Sequence, residues 1–182
     1  VDGPLLLELD SMGDERGYFF EKWNKKNFNN LFLNPIPFVQ DNISKSKKGV
    51  LRGLHYQIEP KAQGKLVSCI YGEIFDVAVD IRKSSPTYGS WVAEILSEKN
   101  KYQLWIPDGF AHGFLTISNE AIVHYKTSDF WSAIHERSIL WNDKDINISW
   151  PLEFLEGLSP LLSDKDANAK NFSDISEKDL FK

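Results

Sequence analysis

Cysteine and methionine are nearly absent from this sequence, which has one of each among its 182 residues. A single cysteine cannot form a disulfide within the chain, so nothing here indicates an oxidising compartment. We expect Cys69 to be a small buried hydrophobic residue, because isolated buried cysteines are seldom nucleophiles.

Long hydrophobic runs are also missing. No apolar stretch approaches the ~18 residues that cross a bilayer, and the N-terminus lacks the basic-then-apolar pattern of a secretion signal. These absences predict a cytoplasmic protein with no membrane partner. The sequence begins at Val1 without a methionine, in a strand-like run, so we expect a short native N-terminal piece to precede it.

Positive charge is in the minority, with a formal net charge of -5. This balance argues against a nucleic-acid partner, which needs broad attraction to phosphate backbones. A local basic pocket could still bind the phosphates of one nucleotide. Glycine-rich phosphate loops and the nucleophile elbow of serine hydrolases are absent too, so ATP hydrolysis, Rossmann-type hydride transfer and serine catalysis lack support.

The length and ordinary composition predict one globular domain over residues 1–182. Residues 39–125 consist of short β-rich runs separated by turn signals, which is typical of an antiparallel sandwich or barrel. The turn signals lie at residues 71–72, 84–86, 107–109 and 118–119, and their spacing predicts a meander of hairpins. Short helices are expected over residues 24–31 and after Ser163.

Residues 73–81 alternate most clearly. Asp76 and Asp80 share one face of this predicted strand with small or aliphatic residues. In an ordinary sandwich such carboxylates face solvent, which is our first expectation. A ligand-lined barrel interior is the alternative.

The most unusual run is residues 49–57 (GVLRGLHYQ), which places polar groups in an apolar strand. In a regular strand His55 and Gln57 share a face and Arg52 lies on the other. A shared site therefore needs a bulge, and Gly53 is where we expect it. His112 could join His55 in a metal site, but the carboxylate and third histidine of such sites are missing, so we expect no metal. His124 and His135 are expected to be structural.

Nine blocks of this sequence, in this order, resemble the dTDP-4-dehydrorhamnose 3,5-epimerase family. They are residues 14–21 (DERGYFFE), 40–42 (QDN), 49–57 (GVLRGLHYQ), 65–67 (KLV), 72–80 (GEIFDVAVD), 106–114 (IPDGFAHGF), 125–127 (YKT), 141–143 (WND) and 162–166 (LSDKD). The resemblance implies an all-β, cupin-type jelly-roll barrel with a few short helices. It also implies a homodimer that needs no cofactor and epimerises a 4-keto-6-deoxy sugar carried on dTDP.

The resemblance also assigns catalytic roles. His55 matches the general base, and Asp166 matches the carboxylate that orients its imidazole. Lys65 matches the cation that faces the C4 oxygen, where it stabilises the enolate. Tyr125 matches the acid that returns a proton on the opposite face.

The residues assigned by resemblance to substrate binding are Arg16, Phe19, Glu21, Gln40, Asn42 and Arg52 for the nucleotide and diphosphate, with Asp76 and His112 facing the sugar. Trp131 is also assigned to substrate binding. Many family members carry a Tyr-Tyr pair where this chain has Phe130 and Trp131. An indole can stack on a ring but cannot act as an acid. Epimerisation at a single carbon, C3 or C5, of a related nucleotide sugar is therefore the alternative, and a metal-dependent cupin is another.

Overall fold

The computed structural model describes residues 2–182, and Val1, where the sequence begins, lies outside them. Within the described residues the chain is mostly strand. The strands are β1 (Leu5–Leu7), β2 (Met12–Asp14), β3 (Gly17–Phe19), β4 (Gln40–Lys47), β5 (Leu51–Gln57), β6 (Lys65–Tyr71), β7 (Glu73–Asp80), β8 (Trp91–Ser97), β9 (Gln103–Ile106), β10 (Phe110–Thr116), β11 (Glu120–Thr127) and β12 (Glu136–Ser138). The α-helices are α1 (Lys25–Asn29) and α2 (Asp164–Ala167), and three short 3₁₀ turns lie near the C-terminus.

Ten of these strands form two five-stranded antiparallel sheets. The first sheet has the order β1-β9-β6-β11-β4, and the second has β12-β5-β10-β7-β8. Strands β2 and β3 form a separate hairpin. The all-β, cupin-type jelly-roll prediction is confirmed.

The four turns lie where the sequence predicted them, but the meander was wrong. Strands β6 and β7 are joined by the turn at Gly72 but belong to different sheets. Strands β9 and β10, joined by the turn at residues 107–109, also belong to different sheets. Turn signals report where a strand ends and not which strand it pairs with. Crossing between the sheets lets both inner faces bury apolar side chains against each other.

The first expectation for Asp76 and Asp80 was also wrong. Their side chains point between the sheets, where Asp76 is 0% and Asp80 1% exposed. Asp80 is paired with Arg82 at 2.7 Å and accepts from the hydroxyls of Ser85 and Thr87. Only Asp76 lies towards the cavity described below.

Three apolar clusters hold the sheets in place. The cluster between the sheets includes Val67, Leu104, Phe114 and Val123, with Cys69 buried among them as predicted. Burial raises the pKa of the Cys69 thiol to about 12. On the outer face of the second sheet the C-terminal segment packs, and on the outer face of the first sheet α1 packs. Within residues 2–182 no helix has the length and apolarity needed to cross a bilayer.

Both predicted helices are present and capped by the residues that begin them. The Asn24 side chain accepts from the backbone N–H groups of Lys26 and Asn27, and the Ser163 hydroxyl accepts from that of Asp166. Such caps satisfy N–H groups that lack a partner within the helix. The Ser163 cap fixes the turn that carries Asp166.

The predicted bulge is present at Gly53. His55 pairs with His112 and Arg52 with Phe114, so three steps along β5 match two along β10. Gly53 has φ +117°, and a Cβ there would lie 2.6 Å from the Gly113 Cα atom and the His112 carbonyl oxygen. Glycine is needed here because any side chain would strike the neighbouring backbone.

Candidate active site

A cavity of about 320 Å³ lies between the sheets. Side chains from both sheets line it: Gln40, Asn42, His55, Tyr56, Gln57, Gln63, Lys65, Tyr125, Trp131 and Glu136. The set contains six residues that the sequence assigned to catalysis or binding: Gln40, Asn42, Lys65 and Tyr125 on the first sheet, His55 on the second, and Trp131 in the loop after β11. Polar groups converging in a concave site are what a small-molecule ligand needs.

His55 and Asp166 form a pair at this cavity. The His55 Nε2 atom lies 2.5 Å from the Asp166 Oδ1 atom, and the Asp166 carboxylate is almost fully buried. Burial, together with the charges of Lys165 and Lys65, lowers the pKa of His55 despite the opposing effect of Asp166. Burial alone would raise the pKa of Asp166, but the hydrogen bonds from His55 and the Ser163 cap hold it below its ordinary value. The imidazole is therefore neutral near pH 7, beside an ionised carboxylate.

Lys65 begins β6 and is 8% exposed. Its Nζ atom donates to the backbone carbonyl of His55 at 3.2 Å, which joins the two sheets across the cavity. Burial lowers the pKa of Lys65 to about 8, although the carboxylates of Glu136 and Asp76 partly oppose this. The lysine therefore supplies a buried positive charge near neutrality.

Asp76 and His112 form a second buried pair behind the cavity. The His112 Nε2 atom donates to the Asp76 Oδ1 atom at 2.8 Å, and His112 is 7% exposed. The Asp76 Oδ2 atom is buried and has no hydrogen-bond partner within residues 2–182. Neither residue lines the cavity wall. The charge of Asp76 raises the pKa of Lys65, after the larger effect of Glu136, and His112 is the strand partner of His55.

Tyr125 stands on β11, opposite Asn42 of β4 and Val67 of β6. Burial raises the pKa of its phenol, while the positive charge of Arg52 opposes that shift. Arg52 itself donates to the Ser46 hydroxyl at 3.1 Å and lies beside the cavity without lining it. The Gly53 bulge brings Arg52 to the side of the strand where His55 lies.

Two charged residues at the cavity were missed by the sequence analysis. Glu136 lines the cavity from β12, and the Lys165 Nζ atom lies 2.8 Å from its carboxylate. Burial opposes its ionisation, but the contact with Lys165 lowers the pKa of Glu136 below its ordinary value. The sequence did offer a signal for Lys165, because this residue directly precedes Asp166 in the block of residues 162–166. Glu136 gave no signal, because its strand is three residues long.

Arg16, Phe19 and Glu21 do not reach this cavity. Arg16 is paired with Asp14 in the exposed β2–β3 hairpin, and its side chain is 90% exposed. Phe19 is 67% exposed. Glu21 accepts from the side-chain amides of Asn24 and Asn27 at 3.1 and 3.2 Å.

The contacts of Lys22 account for the position of the β2–β3 hairpin away from the cavity. Its Nζ atom lies 2.6 Å from the Ser68 hydroxyl and 2.6 Å from the Nδ1 atom of His124. His124 points away from the cavity, because Tyr125, the next residue on the strand, points into it. The segment that follows β3 is therefore fixed on the outer face of the first sheet. His124 has a structural role here, and its Nε2 atom lies 2.8 Å from Asp41.

The described residues contain no group of three or more histidine, cysteine or acidic side chains placed to hold a metal ion. His55 and His112 are each bonded to a separate carboxylate and do not converge on a common point. The chemistry available at the cavity is proton transfer beside a buried cation.

Three comparisons with known proteins bear on this site. The sequence model of the family described as dTDP-4-dehydrorhamnose 3,5-epimerase matches residues 1–174. A protein of that name from Shigella flexneri is 60% identical over 174 residues, which cover 96% of this chain and 93% of the relative.

Two solved structures are similar in fold and sequence. A dTDP-6-deoxy-D-glucose-3,5-epimerase from Legionella pneumophila, in complex with dTDP-4-keto-L-rhamnose, has a TM-score of 0.94 and 48% identity, and the match covers 100% of this chain and 94% of that one. A 3′-monoepimerase from Streptomyces bikiniensis, in complex with dTDP-quinovose, has a TM-score of 0.87 and 32% identity over 94% of this chain and 84% of that one. The chain belongs to the dTDP-4-dehydrorhamnose 3,5-epimerase family.

Proposed function

We propose that this chain epimerises C3 and C5 of dTDP-4-dehydro-6-deoxy-D-glucose, giving dTDP-4-dehydro-L-rhamnose for dTDP-rhamnose biosynthesis. The observation that carries the proposal is the 2.5 Å His55–Asp166 pair, which faces a cavity that also holds the buried cation Lys65. The similar Legionella enzyme holds dTDP-4-keto-L-rhamnose, the product expected here.

His55 is the general base in this proposal. A proton on the carbon next to a ketone is acidic enough to remove when the resulting enolate is stabilised. The Nε2–H group of His55 donates to Asp166, which leaves the Nδ1 atom to accept the proton. Asp166 stabilises the imidazolium that forms, as the aspartate does in a Ser-His-Asp triad.

Lys65 stabilises the enolate oxygen at C4. A fixed positive charge in a buried site stabilises developing negative charge by several kcal/mol. The buried Asp76 carboxylate helps to keep Lys65 protonated.

Tyr125 returns a proton to the opposite face of the carbon, because inversion requires an acid across the sugar from the base. The two steps together leave the oxidation state unchanged, so this chemistry needs no redox cofactor. Gln40, Asn42 and Arg52 bind the nucleotide and its diphosphate, with Arg52 suited to phosphate by its planar donor fork.

The products of turnover in deuterated water test this proposal. NMR should find dTDP-4-dehydro-L-rhamnose with deuterium at both C3 and C5. Deuterium at C3 alone or at C5 alone would contradict double epimerisation and leave a single-carbon epimerase.

Single-carbon epimerisation is the second candidate, favoured by two observations. Trp131 lines the cavity where many relatives carry a tyrosine, and one similar structure is a 3′-monoepimerase. If a tyrosine at that position takes part in one of the transfers, its replacement by an indole removes that step.

We further propose a homodimer in which the β2–β3 hairpin serves the cavity of the second copy. The resemblance assigns Arg16, Phe19 and Glu21 to nucleotide binding, yet in one copy they lie on the outer face of the first sheet, away from the cavity. The aromatic side chains of the hairpin, Tyr18 and Phe19, are 62% and 67% exposed. A second copy that covers Tyr18 and Phe19 and takes Arg16 into its own cavity would account for their exposure. It would also allow the hairpin to bind the nucleotide although it lies away from the cavity of its own copy.

Two expectations from the sequence stay predictions, namely the cytoplasmic location and the folding of residues 1–182 as one domain. The second is supported by apolar clusters that run across both sheets and the C-terminal segment.

A further inference from the structure

Residues 128–135 connect β11 to β12, and the first part of this connection, the loop from Ser128 to Ser132, carries Trp131 at the rim of the cavity. Phe130 and Trp131 are 58% and 59% exposed, so packing alone does not fix them. The loop also has no regular secondary structure. Its backbone must be held by other groups if Trp131 is to form a defined wall.

Three glutamine side chains hold this backbone. Gln63 donates to the Asp129 carbonyl at 2.7 Å. The backbone N–H of Trp131 donates to the Gln40 Oε1 atom at 3.0 Å. Gln57 accepts from the backbone N–H of Ser132 at 2.7 Å and donates to the carbonyls of Phe130 at 3.2 Å and Lys61 at 2.7 Å.

Gln57 is the central member of this set, because its bonds to residues 130 and 132 bracket Trp131 on both sides. It is 3% exposed, so each lost bond would leave a buried polar group unpaired. Only an amide offers two N–H donors and an acceptor in this planar arrangement. A carboxylate of the same shape keeps the acceptor but faces two carbonyl oxygens with no proton to donate.

The strand that carries His55 also carries this tether. Gln57 lies two residues after His55 on β5, so both side chains emerge on the same face. Both line the same cavity, and Gln57 is bonded to the rim loop. The relative position of base and aromatic wall is therefore set by one rigid strand.

We propose that Gln57 is a positioning residue that holds Trp131 against the bound nucleotide sugar and sets ligand affinity without taking part in proton transfer. The inference rests on the proposed function, since it takes the cavity to bind a nucleotide sugar. A wall fixed before binding costs less conformational entropy on association than a mobile one.

The test uses Gln57→Glu in the full chain, with Asn100→Asp as the matched control. The Asn100 amide also tethers backbone, since it donates to the Ile95 carbonyl at 2.8 Å and accepts from the backbone N–H groups of Ser97 and Tyr102, and it does not line the cavity. Dissociation constants for dTDP are measured by calorimetry, together with kcat and KM. We expect Gln57→Glu to raise both the dTDP Kd and KM about 5- to 20-fold, with kcat within about 3-fold of the unsubstituted enzyme.

A spectroscopic readout separates positioning from general damage. With 5-fluorotryptophan incorporated, the ¹⁹F line that disappears in Trp131→Phe is assigned to Trp131. That line should shift or broaden in Gln57→Glu and stay in place in Asn100→Asp. In a Trp131→Ala background, Gln57→Glu should weaken dTDP binding less than 2-fold, because the group it positions is gone.

The inference would be overturned if Gln57→Glu left either the ¹⁹F line of Trp131 or the dTDP Kd unchanged. It would also be overturned if Gln57→Glu weakened dTDP binding as strongly in the Trp131→Ala background as it does when Trp131 is present. Gln63→Met, which removes only the bond to Asp129, is the second variant if Gln57→Glu does not fold, and it should act in the same direction.

If the unsubstituted protein neither binds dTDP nor turns over the sugar, the proposed function fails, while the ¹⁹F line still decides whether Gln57 positions Trp131.

Discussion

At the scale of single residues, burial sets the protonation states that the proposed chemistry needs. The same low-polarity surroundings lower the pKa of both His55 and Lys65. Each group keeps a carboxylate nearby that partly opposes the shift. Removing these carboxylates should therefore move the two limbs of the pH profile in predictable directions.

The acid limb of the pH profile should belong to His55. The base must be neutral, so kcat/KM should fall as the pH drops through the His55 pKa, which lies below 6.5. In Asp166→Asn the limb should move to still lower pH, because the carboxylate raises that pKa. The rate near pH 7.5 should fall about 10²-fold or more, since the imidazolium loses its partner. Asp164→Asn, on the same helix, is the control. A limb that moves to higher pH would refute the pairing.

The alkaline limb should belong to Lys65. The enolate needs the charged lysine, so activity should be lost as the pH rises through about 8. Asp76 raises that pKa, so Asp76→Asn should shift this limb to lower pH. Glu73→Gln, on the same strand but facing away from the cavity, should leave it in place. The measurement is kcat/KM from pH 6 to 10, and a limb unmoved by Asp76→Asn would count against the assignment.

Sequence reasoning found most of the candidate site, for a physical reason. His55 and Gln57 were conspicuous because polar groups in an apolar strand must have partners. No pattern in the sequence singled out Asp166 or Lys65. Only the resemblance to the family assigned them to the site. Glu136 was missed because a charged residue in a three-residue strand looks like any surface position.

At the scale of elements, the bulge in β5 places Arg52 on the same side of the strand as His55. Without the extra residue, Arg52 and His55 would lie on opposite faces of the strand. The sequence indicated this bulge, because a glycine stood between two polar groups that one site would need to share. It could not indicate strand pairing, because turn residues do not encode which sheet receives the next strand.

Gly53→Ala should test the bulge. The positive φ alone costs about 1–3 kcal/mol for a residue with a side chain. The new Cβ would also meet two backbone atoms at 2.6 Å that cannot move independently. The free energy of unfolding, from urea titration, should fall by about 3 kcal/mol or more. Gly3→Ala, where nothing lies within 4 Å, should change it by less than about 0.5 kcal/mol. Equal stability of the two variants would contradict this account of β5.

At the scale of the whole molecule, the two sheets contribute different parts of the site. The second sheet carries His55 and Glu136, the first carries Lys65 and Tyr125, and Asp166 arrives from the C-terminal segment. Every wall of the cavity therefore comes from a different part of the chain. The β2–β3 hairpin is the exception, because none of its residues lines this cavity in its own copy.

Hybrid dimers should test the role of the hairpin. We expect Arg16→Ala with Phe19→Ala to lose affinity for the nucleotide sugar, and His55→Asn to lose turnover. If the hairpin serves the partner, mixing the two subunits creates one cavity with neither defect, and the hybrid should recover up to about half the activity of the unsubstituted dimer. Differently tagged subunits allow the hybrid to be purified. A hybrid no more active than its parents would mean that each hairpin serves its own cavity.

Solvent deuterium exchange in His55→Asn tests the central claim most directly. Asparagine keeps a polar side chain that can contact Asp166 but cannot accept a proton near pH 7. Exchange of the C3 and C5 protons, followed by NMR, should slow at least 10³-fold relative to the unsubstituted enzyme, while the Kd for dTDP stays within about 3-fold. Exchange at the unsubstituted rate in His55→Asn would contradict the assignment of His55 as the base.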